Sequence, residues 1–261
     1  MRLRRQIFAA TGLVFALSCL PINYVGGADD GSTAESHVAS TIADQTDIEA
    51  KLSISSRDRG WFALSQDDCW NVNCKADTWQ WSEEFLRCNG NCVGVLATKK
   101  PFKNFEILLD WMHEENAGNS GIFIWSPASS LKGLPVDSLP AGIECQILDH
   151  GYTGHYETST GNDANWFTTD GDIFPVGGSR MSPFAPVSPN GQRSFPSSKH
   201  TRGFGQWNQY YLRAINGEVR LWVNGHEVSG GNHCEPADGH LAFECEGSPI
   251  KFRNLYLREL P

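Results

Sequence analysis

From about residue 60 the chain alternates between apolar and polar positions. Phe105, Ile107, Leu109 and Trp111 are interleaved with Glu106, Leu108, Asp110 and Met112. Ile143, Cys145 and Ile147 alternate with Glu144, Gln146 and Leu148, and Leu241, Phe243 and Cys245 with Ala242, Glu244 and Glu246. A period of two marks strands with one face in a core. Shorter apolar runs lie at 121–125, 210–215, 218–223 and 250–257, and Asn216-Gly217 between two of them is a hairpin turn signal. No long 3.6-residue apolar period follows residue 60. The pattern predicts an all-β sandwich of two antiparallel sheets over 59–261, a length that one sandwich can hold. The stretch 150–205 breaks the pattern. It is rich in Gly, Pro and Ser, and a loop this long is more often functional than idle. It is expected to fold over one end of a cleft and limit substrate length.

The same alternation assigns faces. Glu144 and Gln146 point away from Ile143, Cys145 and Ile147; Glu244 and Glu246 point away from Leu241, Phe243 and Cys245. A solvated sheet face is also polar. Strands favour β-branched and aromatic residues over Glu and Gln, however, which makes Glu144 and Gln146 candidates for chemistry.

Residues 1–28 read as a secretory signal: Arg2, Arg4 and Arg5, an apolar run from Ile7 to Leu20, then Pro21 and Gly26-Gly27-Ala28. Phe15-Ala16-Leu17-Ser18-Cys19 also reads as a lipobox, which would acylate Cys19 and attach the protein to a membrane. The expected location is therefore outside the cytoplasm, periplasmic or extracellular. Residues 29–58, rich in Ala, Ser, Thr and Asp without an aromatic, read as a flexible linker. The formal charge of −9 includes the three signal arginines, so the rest is more acidic still, which excludes nucleic acid as a partner. Export makes disulfides the default for Cys69, Cys74, Cys88, Cys92, Cys145, Cys234 and Cys245, whose odd number leaves a free thiol. The spacings Cys69-x4-Cys74 and Cys88-x3-Cys92 also permit zinc, but they are loose and no histidine lies among them. A disulfide within that group of four is the expectation.

Five motifs in order carry a family resemblance: Gly118-Asn119-Ser120-Gly121-Ile122-Phe123, Gly142-Ile143-Glu144-Cys145-Gln146-Ile147-Leu148-Asp149, Gly205-Gln206-Trp207-Asn208-Gln209-Tyr210, Val223-Asn224-Gly225, and Gly247-Ser248-Pro249-Ile250-Lys251-Phe252-Arg253-Asn254. The chain resembles the bacterial 3-keto-disaccharide hydrolase family, also described as 3-keto-glucoside lyase/hydratase. The resemblance implies a concanavalin A-like jelly roll, related to the laminarinase-type glucanases, with a carbohydrate substrate on its concave sheet. Those glucanases carry E-x-D-x-x-E on one strand; here the stretch reads Glu144-x-Gln146-x-x-Asp149, and Gln146 cannot ionise.

A 3-keto sugar needs a base for its acidified C2 proton, a partner for the enolate oxygen and an acid for the leaving group. Candidates are Glu144 or His150 as base, Arg253 on the oxygen, and Glu244 as second carboxyl. Asn119, Ser120 and Gln146 can orient hydroxyls, and Trp125, Trp166 and Trp222 can stack on sugar rings. Asp149, His150, His155 and Asp172 are candidate ligands for a divalent metal ion. The alternative readings are a lectin-like binding domain and a retaining glucanase.

Overall fold

The computed structural model describes residues 60–261, in which the alternating runs pair into two sheets. The signal and lipobox readings at 1–28 and the linker at 29–58 lie outside the described residues. One sheet has nine strands. Eight run in the order β10 (Arg180–Pro183), β13 (His226–Glu235), β12 (Glu218–Val223), β11 (Asn208–Ile215), β6 (Phe105–His113), β15 (Ile250–Glu259), β4 (Leu86–Cys88) and β3 (Trp79–Trp81); β1 (Trp61–Ala63) pairs with β15 beside this path. The other sheet runs β2 (Cys69–Asn71), β5 (Val93–Thr98), β14 (His240–Glu246), β7 (Asn119–Ser126), β8 (Gly142–Leu148) and β9 (Ile173–Val176). Every pairing is antiparallel, as a jelly-roll sandwich requires. Two short helices, α1 (Ala128–Leu131) and α2 (Tyr152–Thr160), follow β7 and β8.

The core lies between the sheets. Phe105, Ile107, Leu109 and Trp111 of β6 meet Ile122 and Ile124 of β7, Ile143, Cys145 and Ile147 of β8, and Leu241 and Phe243 of β14. Phe243 packs edge-on against Phe252 of the facing sheet at 5.4 Å between centroids. Each such side chain, fully buried, contributes about 1.5–3 kcal/mol. The β11–β12 hairpin turns at Asn216 and Gly217, whose φ angles of 51° and 75° fit a two-residue turn of the favoured hand.

The stretch 150–205 is not a plain loop. β9 extends the six-stranded sheet beyond β8, and β10 extends the nine-stranded sheet beyond β13. Pro175 is tolerated because β9 is an edge strand. Ser194 exchanges backbone hydrogen bonds of 2.9 and 3.1 Å with Ile173. The segment thus fastens onto both sheets. The outermost strands β2, β3, β9 and β10 have only three or four residues each.

Candidate active site

β14, β7 and β8 lie side by side, and their outer face collects the polar positions that the alternation singled out. Glu244 and Glu246 come from β14, Asn119 and Gly121 from β7, Glu144 and Gln146 from β8. Gly121 makes the arrangement possible. A Cβ there would stand 2.7 Å from Glu244 Oε2 and 2.8 Å from Glu144 Oε1, so any larger residue would push between the two carboxyls. Asn119 links the row: its Oδ1 accepts from Gln146 Nε2 at 3.0 Å and its Nδ2 donates to Glu246 Oε2 at 2.5 Å.

The insertion covers this row. Arg193 reaches over it, with its guanidinium carbon 3.4 Å from the centroid of the Phe174 ring and 4.7 Å from that of Trp166. Its Nη1 donates to Gln146 Oε1 at 3.5 Å and lies 3.6 Å from Asp172 Oδ2. Asp172 is itself held by the Thr168 N–H and hydroxyl at 2.9 and 2.5 Å. Glu144, Gln146 and Glu244 are buried, and Glu246 is partly exposed.

Burial sets the electrostatics. It pushes Glu144 up to about 8, reinforced by Glu246 and opposed by Arg193. It raises Glu246 to about 7 and Asp172 to about 6. Glu244 is driven well above the carboxylate range by burial and then by Glu246 and Glu144. Neither of its oxygens makes a hydrogen bond of normal geometry. At neutral pH Glu244 therefore holds its proton, while Glu144 lies within reach of ionisation beside a cation. Two carboxyls whose environments push their pKa values apart suit an acid and a base.

Several candidates lie elsewhere. Arg253 is on the outer face of the other sheet, with the core between it and Glu144; it pairs with Asp110 at 3.0 Å, stacks over Trp207, and lines a groove with Glu83, Phe85 and Lys251. Trp222 is on that same outer face, against Tyr211. Trp125 is wholly buried in the core and donates to the Lys103 carbonyl at 2.8 Å. Ser120 faces inward, beside Ile122 in the alternation, and donates to the Glu244 carbonyl at 2.8 Å. His150 is exposed and bonds to Thr201, and His155 is exposed on α2.

The proposed metal set does not assemble. Asp149 spends its oxygens on the N–H groups of Ala117, Gly151 and Phe204, at 2.7, 2.9 and 2.7 Å, and Asp172 on Thr168. Among the described residues, Asp149, His150, His155 and Asp172 do not share one ligand shell. These residues do not fit a metal centre.

The model of the 3-keto-alpha-glucoside-1,2-lyase-like domain matches residues 63–258, which span nearly every strand of the sandwich. The chain belongs to this family. Among curated proteins none matches it. Two crystal structures of candidate glycosyl hydrolases from Parabacteroides distasonis ATCC 8503 share the fold. One is 18% identical with a TM-score of 0.55, covering 80% of this chain and 98% of its own; the other is 17% identical with a TM-score of 0.52, covering 77% and 99%. As a member of the 3-keto-alpha-glucoside-1,2-lyase-like family, the chain carries a carbohydrate-active jelly-roll domain. Within this family member, Arg193 is the site residue that the sequence pattern missed, since no motif or period marks a lone arginine in an irregular segment. Gly121 and Glu246 were visible as part of a motif and an alternating face, but not as parts of a site.

Proposed function

We propose that this domain cleaves 3-keto-glycosides by elimination on the outer face of β14, β7 and β8. The observation that carries the reading is the pairing of Glu144 and Glu244 across Gly121 with Arg193 above them. Glu144, once ionised, takes the C2 proton, which the neighbouring ketone acidifies. The electron pair passes to the ketone oxygen as an enolate, and the Arg193 guanidinium is the donor available to it. Collapse of the enolate forms the C1–C2 double bond and expels the C1 oxygen, which takes its proton from Glu244. The insertion helps bury Glu144, Gln146 and Glu244, and a buried setting strengthens each of these interactions. An exported location, with substrate met outside the cytoplasm, is part of the same reading and rests on residues 1–28.

The test uses a 3-keto-glucoside carrying deuterium at C2. Elimination predicts a primary isotope effect on aglycone release and loss of the label from the sugar. Glu144→Gln keeps the shape and should lower the rate by about 10²–10⁴. Aglycone release with the label fully retained and no isotope effect would establish direct hydrolysis instead. Glycan binding without any turnover would make the domain lectin-like.

A further inference from the structure

Four cysteines from both sheets converge on the inner side of β14. Cys74 follows β2, Cys88 ends β4, Cys92 precedes β5 and Cys245 lies on β14. The sulfurs of Cys74, Cys92 and Cys245 all lie within 4.8 Å of one another, and Cys74 Sγ is 2.6 Å from Cys92 Sγ. Cys88 is fully buried at the end of β4 and interacts with Cys245, whose thiol donates to the Cys92 carbonyl at 3.0 Å. Cys69, which shares the sequence cluster, is buried on β2 beside Asp68 and Lys99 instead. No disulfide joins any of the seven described cysteines.

The surroundings are built for these sulfurs. Asn71 Oδ1 accepts the Cys74 N–H at 3.0 Å, and Asn71 Nδ2 donates to the Cys74 and Lys75 carbonyls at 2.9 and 3.0 Å, fixing the turn. Gly94 leaves space where a Cβ would stand 2.7 Å from Cys74 Sγ. Cys88-Asn89-Gly90-Asn91-Cys92 turns at Gly90, with φ of 78°, and brings two sulfurs round one short loop. Thr78 Oγ1 lies 3.8 Å from Cys92 Sγ as a hydroxyl donor, the sort of partner that steadies a ligating thiolate.

We propose that Cys74, Cys88, Cys92 and Cys245 form a closed four-thiolate site for one zinc ion. A tetrahedral ion with bonds of about 2.3 Å sets its sulfurs roughly 3.8 Å apart, so binding moves Cys74 and Cys92 apart and closes four sulfurs into one shell with no open position, which makes its role structural. Binding releases the thiol protons to solvent and ties β4 of one sheet to β14 of the other. Cys245 stands between Glu244 and Glu246, so the clip also fixes the strand that presents the carboxyls.

The test is metal content and thiol state of the full chain, purified without chelator. The expected result is one zinc per chain, with all four cysteines shielded from alkylation until the ion is stripped. Cobalt exchanged into the site should show the thiolate-to-metal charge-transfer bands of a tetrahedral centre. Cys74→Ser and Cys92→Ser should lose the zinc, and Cys69→Ser and Cys234→Ser should keep it. A wild-type chain without metal would overturn the proposal, whether its four cysteines map as disulfides or as free thiols. So would zinc retained in both Cys74→Ser and Cys92→Ser.

Discussion

Glu144 ties stability to the proposed chemistry. Its carboxyl titrates near 8 in the folded chain, against 4.5 as its ordinary value, chiefly because it is buried. The folded state therefore binds this proton more tightly than the unfolded state does. The stability contribution is complete below about 4.5 and is lost as pH rises through about 8. Glu144→Gln cannot ionise and escapes that loss. It should melt with the wild type at pH 4.5 and above it at pH 8.5, by on the order of 2 kcal/mol. Equal stability at both pH values, followed by calorimetry, would show that Glu144 is not held protonated. At this scale the alternation placed Glu144, Gln146 and Glu244 on one outer face. Taken one step further, it also separates Ser120 from Asn119, since neighbours in a strand face opposite ways. Arg253 was a different difficulty: parity tells inner face from outer face but not one sheet from the other. The contact from Arg193 to Gln146 spans 47 positions and has no local signature.

At the scale of elements, hairpins were the most readable part. Asn216-Gly217 marked the β11–β12 turn, and the structure puts both residues at positive φ. Gly217→Ala places a side chain in that conformation and brings its Cβ to 3.3 Å from the Cys234 carbonyl. The expected cost is about 1 kcal/mol, measured by denaturant unfolding, with turnover unchanged because the turn is remote from Glu144. A neutral effect on stability would mean the turn re-forms in another type. The short strands β9 and β10 were hidden because four residues show too little alternation, and Pro175 argues against a strand unless the strand is at an edge. β14 shows how much one element can carry, with Glu244 and Glu246 on one side and Phe243 and Cys245 on the other.

For the whole molecule, the segment 150–205 matters more than its composition suggested. A loop that only closed one end of a cleft could be removed with more effect on substrate preference than on stability. The structure changes that expectation, because the segment supplies β9, β10 and the Arg193 cover together. Replacing residues 150–205 by a short linker should lower the melting temperature sharply and abolish turnover, whereas Arg193→Met alone should lower turnover and leave the sandwich folded. Circular dichroism melts beside a rate assay would separate the two. A deletion that folds as well as the parent would return the segment to the status of a detachable loop. The sandwich class was legible because periodicity needs only local sequence; the closure of its face was not, because it depends on which distant segment lands there.

The brevity of the four outermost strands has a consequence for the chain in a crowded solution. A sheet edge presents unpaired N–H and C=O groups that can recruit another chain, and long flat edges are templates for aggregation. Here β13, with ten residues, and β8, with seven, are each masked by a neighbour of only four. The segment that covers the carboxyls thus also blunts one margin of each sheet. It leaves a passing molecule too few consecutive backbone groups to join the fold by strand addition.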